Sequence, residues 1–450
     1  MTRQAYRTPR WLITTLDEHG MLVVLLLVAA ALGLATIQPQ ETTGHEAGFS
    51  LGQLAVSRFG PEPTFLAILA DSDDDKALQQ GLIEALGAAG TKHLVVAQGD
   101  PSTARRVLLE SQGGPPQAIV CSTTTSEWLV VRDRGALNTN LEQVEVMVPI
   151  RSLWPRFLTR VNILNIANQI SVISILAIGM TLVVVTGGID LSVGSLVALS
   201  GVLAAEFIRT WGGGVEASAW NMVFGCLLGI TAATLAGCFS GLVIVGCGVP
   251  PFLATLATML MVRGAALEST GGESVAALPD RFIWLGRGAE FGIPVAVLLA
   301  VLLYIVFHLI LTRTVLGRHW LAIGGNPVVA RLAGIRVGAA VVLAYATSGL
   351  LAGLGGVVLT SQLKNASPTY GEGYELTVIA AVVVGGASLN GGRARMAGTL
   401  TGALLIATIQ NGMNLLDISP FVQKIVLGMV ILIAVLLDRW RQHVVLNSAG

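Results

Sequence analysis

Between Ile178 and Ser200 the chain reads IGMTLVVVTGGIDLSVGSLVALS, two apolar runs that meet at Gly187-Gly188 beside a lone carboxylate, Asp190. No other stretch constrains the fold as tightly. A plain membrane span does not stop at a glycine pair and an acid. Irregular backbone at membrane depth survives only against protein or water, because hydrocarbon offers it no hydrogen-bond partner. The stretch therefore reads as a transmembrane turn or a broken helix. Two compatible roles stay open for Asp190. It caps a helix beginning at Leu191, with Gly187 and Gly188 permitting the turn, or it belongs to a translocation path, the default role of an acid inside a membrane.

The rest of the chain identifies the solvent. Of 450 residues 53% are hydrophobic and 12% charged, against about 25% charged in a soluble domain. The expected class is an α-helical polytopic membrane protein. Net charge is zero, so no electrostatic footprint for nucleic acid exists. The 53 glycines suit close helix packing and helix breaks. Cys121, Cys226, Cys238 and Cys247 share no CxxC spacing and read as small buried thiols. The chain lacks G-x-x-x-x-G-K-[ST], HExxH, a nucleophile elbow and a His/Cys cluster. This pattern predicts neither ATP binding through a P-loop nor chemistry on a substrate, and no metal or cofactor.

Three segments follow one another. Residues 1–37 hold a polar start with Arg3, Arg7 and Arg10, then the apolar run Met21 to Ile37. The arginines place this end in the cytoplasm, and the run reads as a retained anchor. Residues 38–155 change character. FLAILADS (Phe65 to Ser72), HLVVAQGD (His93 to Asp100), QAIVCS (Gln117 to Ser122) and VEVMVPI (Val144 to Ile150) read as strands, and Lys76 to Ala89 and Pro101 to Glu110 as helices. Alternating strands and helices predict a small doubly wound α/β sheet, and one span after a cytoplasmic start puts it outside the membrane. Residues 156–450 resume the membrane part, with spans near 165–186, 191–209, 220–246, 250–268, 291–312, 338–360, 374–390, 396–415 and 420–438. That predicts ten helices in all and both ends inside. Arg313, Arg318, Arg331, Arg336, Arg393, Arg395, Arg439 and Arg441 then fall on the inner side, as the positive-inside rule requires. The same count puts the Gly-Gly-Ile-Asp turn near the cytoplasmic face, at the inner mouth of a path.

Four further features stand out. VVVTGG at Val183 to Gly188 is echoed by VVVGG at Val382 to Gly386, in the manner of chance similarity or of an internal repeat. The loop TRTVLGRHWLAIGGNPVVARLAGIRVG (Thr312 to Gly338) is the longest basic loop of the membrane part, either a solvated positive-inside loop or a docking element. Glu372 and Glu375 sit where an outer loop re-enters, as caps or as contacts for substrate. Asn165, Asn168, Gln169, Gln410, Asn411 and Asn414 recur at span edges. They read as inter-helix hydrogen-bonding groups or as the lining of a polar path; Asn168, Gln169, Glu375 and Asn411 join Gly187, Gly188, Asp190 and Ser192 as the motif and path candidates.

GMTLVVVTGGIDLSVGSLVALSG, VPPFLATLATMLMVRGAAL, AIGGNPVVARLAGIRV and GEGYELTVIAAVVVGGASLNGG, in that order, resemble the permease subunits of bacterial ribose, xylose and galactoside ATP-binding-cassette importers. The resemblance runs from about Phe157 to Arg441, with the first span. It implies a permease dimer in the inner membrane, a separate ATPase subunit, a periplasmic sugar-binding protein and a monosaccharide as cargo, moved by alternating access. It also gives Gly324, Gly325, Asn326, Ala330, Arg331, Gly334 and Ile335 the role of the loop that engages the ATPase. Residues 38 to about 153 depart from the family, and their sequence resembles one lobe of a periplasmic sugar-binding protein: a tethered half-receptor, a docking aid or a decayed fusion. Asp71, Asp73, Asp74 and Asp100 lie at its strand ends, where ordinary turn chemistry accounts for them. The alternatives are an importer of a nucleoside or another small polar metabolite, a non-transporting sensor or scaffold, and a self-sufficient secondary transporter.

Overall fold

The computed structural model describes residues 10–91, 93–110, 115–149 and 151–448. Arg3, Arg7 and Ile150 lie outside them. The chain divides into two compact units: residues up to Thr36 together with those from Phe157 on, and Ile37–Arg156. Helix α1, Arg10–Ala35, belongs to the first.

In the second unit, β1 (Ile37–Glu41) and β6 (Arg151–Pro155) form an antiparallel pair of their own. Between them lie helix α2 (Gly44–Phe59) and the strands β2 (Phe65–Ala70), β3 (Leu94–Gly99), β4 (Ala118–Cys121) and β5 (Glu145–Met147). These four strands form one parallel sheet of order β3-β2-β4-β5. A strand buried on both faces reads as an unbroken apolar run, and FLAILA does so. On one face α2 and α3 (Asp73–Ala88) cover Phe65, Ala67 and Leu69. On the other, α4 (Pro101–Glu110) and short helical turns cover Leu66 and Ile68.

The larger unit is helical. After α5 (Arg160–Val185) come α6 (Val193–Thr210), α7 (Ala219–Cys247), α8 (Pro251–Thr270) and α9 (Val295–Arg313). Then follow α10 (Val315–Gly325), α11 (Pro327–Leu332), α12 (Val337–Leu363), α13 (Tyr374–Val384), α14 (Met396–Leu415) and α15 (Pro420–Ser448). Among the described residues six helices, α5 to α9 and α12, are long and apolar enough to cross a membrane. Helix α5 is central, with every residue from Ile170 to Val185 buried. Helix α9 turns Leu302, Ile305 and Leu309 outward, as a helix facing lipid does. The span expected over 374–390 differs: α13 has 11 residues, about 16 Å at 1.5 Å per residue, or half of a core about 30 Å thick.

Helix α7 carries two G-x-x-x-G pairs, Gly225/Gly229 and Gly237/Gly241. The first pair faces Ala204 and Ser200 of α6, the second Gly349 and Val342 of α12. A Cβ on Gly237 would lie 3.1 Å from the Gly349 Cα, so the two backbones touch without side chains between them. Gly246 of the same helix has nothing within 4 Å of such a Cβ. Gly237→Leu should therefore cost about 1–3 kcal/mol through overpacking, and Gly246→Leu nothing measurable, by thermal unfolding of the full chain in detergent.

Candidate functional site

Helix α5 ends at Val185, and Gly187 takes φ +82°, a left-handed turn that costs glycine little. The next residues do not stay at that end. Asp190 is fully buried. Its Oδ1 accepts from Ser192 N at 3.0 Å and Ser192 Oγ at 2.5 Å, and its Oδ2 accepts from Ser348 Oγ at 2.8 Å. Ser348 is the twelfth of the 27 residues of α12. It also packs against Gly179, where a Cβ would lie 2.9 Å from the Ser348 Cα. Gly179 lies six residues before the end of α5, about 9 Å back along it. The chain thus turns at Gly187 and climbs back into the bundle before α6 starts. This corrects the expectation that the whole turn lies at the inner mouth: Gly187 is at the helix end, Asp190 deep inside. It also corrects the cap. The helix begins at Val193 rather than Leu191, and Asp190 binds the backbone and hydroxyl of Ser192 and ties them to α12. Gly188 is the close-approach point, facing the Tyr345 ring that lies beside it; Tyr345 Oη and Thr255 Oγ1 donate to Ile189 O at 3.5 and 3.2 Å.

A second break faces this one. The Gly371 backbone lies against Gly194 in the first turn of α6, and a Cβ at Gly194 would come 2.6 Å from Glu375 Oε2. Glu375 is in the first turn of α13. Two helix N-termini, those of α6 and α13, therefore meet inside the unit across Gly194, Gly371 and Glu375. The sequence marks the first break by Gly187-Gly188 and the second by Gly371 and Gly373, but only the fold brings them together.

At the other ends of α5 and α13 three loops converge. Gly392 N donates to Val185 O at 2.9 Å. A Cβ on Gly391 would lie 2.9 Å from the Gly324 Cα and 3.0 Å from Gly187 N, so these loops touch backbone to backbone. Gly324 lies in the last turn of α10, which Trp320 anchors through Nε1 to Ala340 O at 2.8 Å. Helix α11 follows as a self-contained turn. Asn326 Oδ1 accepts from Val328 N and Val329 N at 3.0 and 3.1 Å, and Pro327 takes the first helical position, an N-terminus built by the usual capping chemistry. Gly334, at φ +84°, ends the turn, with Ile335 N donating to Ala330 O at 3.1 Å. Ala330 is buried, while Val328 (64% exposed), Val329 and Leu332 (84% exposed) project outward with Arg331. Gly325, the last residue of α10, is exposed.

The amides separate by role. Asn411 and Asn162 form a reciprocal pair at 2.9 and 3.0 Å, and Asn168 accepts Gln362 Nε2 through its carbonyl at 3.0 Å and its side chain at 3.3 Å. Both hold helices together. Gln169 instead lines a cavity of about 260 Å³ with Tyr374, Thr377, Gln410, Asn414 and Gln423. The cavity reaches the first residue of α13 and is walled by amide and hydroxyl groups together with the apolar Ile170, Ile173 and Ala407, a mixed lining that can meet both the hydroxyls and the carbon face of an uncharged polyol.

The branched-chain amino acid transport system / permease component family matches residues 162–435, which include both breaks, the converging loops and the cavity. The chain belongs to that family. The permease is 45% identical over 296 residues to the ribose import permease protein RbsC of Bacillus subtilis (strain 168), covering 65% of this chain and 89% of the relative. It is 42% identical over 297 residues to RbsC of Escherichia coli (strain K12), with 65% and 90% covered. The L-arabinose transport system permease protein AraH of the same strain is 38% identical over 288 residues, with 64% and 85% covered. No solved structure matches the permease. The family consists of transport components, not enzymes.

Ile37–Arg156 lies outside residues 162–435; of its acids, Asp73 and Asp74 stand in the first turn of α3, while Asp71, Asp75 and Asp100 are engaged locally. Asp75 Oδ2 accepts from Ala70 N and Ser122 Oγ at 2.6 and 3.0 Å. Asp71 pairs with Lys76 at 2.9 Å, which raises the lysine pKa. Asp100 accepts from Thr103 N and from the Ser102 and Thr103 hydroxyls, holding its pKa down at about 2. Burial pushes the Cys121 thiol up to about 12, so it stays protonated and unreactive.

The Asp190 tie predicts an asymmetric loss. Asp190→Ala strips the Ser192 and Ser348 donors of their acceptor at about 1–3 kcal/mol each, so the permease should lose at least about 3 kcal/mol. Ser348→Ala removes one donor only and should lose about 1–3 kcal/mol. Urea unfolding of the full chain in detergent, followed by tryptophan fluorescence, reads both.

Proposed function

We propose that this permease is the membrane path of an ATP-driven importer for a monosaccharide, working by alternating access with a separate ATPase subunit and a soluble sugar-binding protein. The single observation that carries the reading is α11. It is a capped turn that exposes Val328, Val329, Leu332 and Arg331, and the glycine junction beside it is where the loops following α5 and α13 meet. Apolar residues rimmed by charge on a rigid turn fit a protein partner. A push on α11 reaches both broken helices through backbone contacts with no side chains between them.

The remaining elements follow this reading. Helices α1, α13, α14 and α15 complete the six long spans to ten, with both termini in the cytoplasm and Ile37–Arg156 outside. The permease works as a dimer. Gln169, Gln410 and Asn414 line the sugar's route. Asp71, Asp75 and Asp100 are already bonded within the small unit, which supports sugar selection in the soluble receptor and a docking role for this unit. The ribose and arabinose relatives favour a pentose.

Leu332→Asp tests the docking surface without touching the core. An ATPase subunit encoded beside this chain should be captured with at least tenfold lower affinity, equivalent to about 1.4 kcal/mol, while the melting temperature of the chain stays the same. Capture that is unchanged by Leu332→Asp and by Arg331→Glu contradicts the reading.

A further inference from the structure

Helix α8 is long and apolar enough to span a membrane, yet Arg263 is the thirteenth of its 20 residues. An arginine at the centre of such a helix costs about 2.5–3.5 kcal/mol on insertion scales, so its partners matter. The Nη1 group donates to Pro368 O at 2.5 Å and to Tyr370 O at 2.8 Å. Both carbonyls belong to the irregular segment between α12 and α13, where backbone at depth needs a protein donor. The outer end of this segment is tied separately: Ala366 exchanges backbone hydrogen bonds with Val275 at 2.8 and 2.9 Å, and Lys364 pairs with Asp280 at 2.6 Å. Its inner end carries Gly371 and Gly373, both at positive φ of +72° and +81°, and Gly371 lies on Gly194. Arg263 is thus the one polar side chain of α8 that grips the segment between a fixed outer tie and a glycine hinge.

We propose that Arg263 is a positioning residue of the transport cycle, a latch that holds Pro368–Tyr370 down so that Gly371 closes the gap between the N-termini of α6 and α13. This rests on the importer reading above. Releasing two carbonyls lets the segment swing on Gly371 and Gly373 and opens that gap from the side bearing the Lys364–Asp280 tie.

The test uses the full chain in membranes, with Cys121, Cys226, Cys238 and Cys247 replaced by serine and one reporter, Ser367→Cys, read by a membrane-impermeant maleimide. Ser367 is buried beside Pro368. Arg263→Gln should speed labelling at least tenfold, and Arg263→Lys, which reaches one carbonyl, by about threefold. With the ATPase present, nucleotide should change labelling in the Arg263 chain and have no effect in Arg263→Gln. Ser174→Cys, buried on α5 with no hydrogen-bond partner, should stay unlabelled throughout. Labelling of Ser367→Cys that is unchanged by Arg263→Gln overturns the latch, and so does equal labelling of Ser174→Cys, which signals general loosening. If Arg263→Gln does not accumulate, an unchanged rate in Arg263→Lys overturns it instead. A chain that captures its ATPase but shows no labelling response loses the latch and keeps the importer reading. A labelling response in a chain that captures no ATPase overturns the role in transport.

Discussion

A carboxylate without exposed surface, held by one amide and two hydroxyl donors, sets the architecture of the membrane unit. Asp190 is drawn to Ser348 in the interior of α12, and the chain must break to bring it there. Hydrocarbon cannot satisfy the freed backbone between Gly187 and Ser192, so neighbouring helices do. Gly179 lets α12 approach, Tyr345 and Thr255 donate to Ile189, and the glycine pairs of α7 bring that helix against both α6 and α12. The high glycine content is a consequence: short helices and returning segments fit only where backbones touch.

The two breaks give the unit its function-bearing geometry. Helices α6 and α13 start inside it and face each other, while the ends of α5 and α13 gather at Gly324. Movement at α11 therefore has a short rigid route to both breaks, and the amide-edged cavity ends on Tyr374, the first residue of α13. A path for an uncharged cargo needs hydrogen-bonding groups and a way to open and close, and no buried ion pair to drive it.

Elements with a clear local pattern were legible in the sequence. Pro101–Glu110 falls at its expected bounds, and FLAILA and QAIVCS lie where strands form. Helix α2 was missed: GHEAGFSLGQLAVSRF has weak periodicity, and it forms because Gly48 and Gly81 let α2 and α3 touch. The pair β1–β6 was missed because its strands are separated by more than a hundred residues of sequence. In the site, GGID and GGNP announced breaks correctly, but depth was not legible. A span count places a turn at a face, whereas the Asp190–Ser348 bond, 158 residues apart in sequence, pulls it inward. The split among amides was equally hidden, since only the fold pairs Asn411 with Asn162 and turns Gln169 to the cavity.

The central claim is that this chain forms a sugar path driven by a separate ATPase. The direct measurement is uptake of labelled ribose and arabinose into proteoliposomes holding the full chain, an importer ATPase subunit that it captures and a soluble sugar-binding protein. The account predicts accumulation that requires ATP and all three proteins. Accumulation by this chain alone, without nucleotide or ATPase, would contradict it.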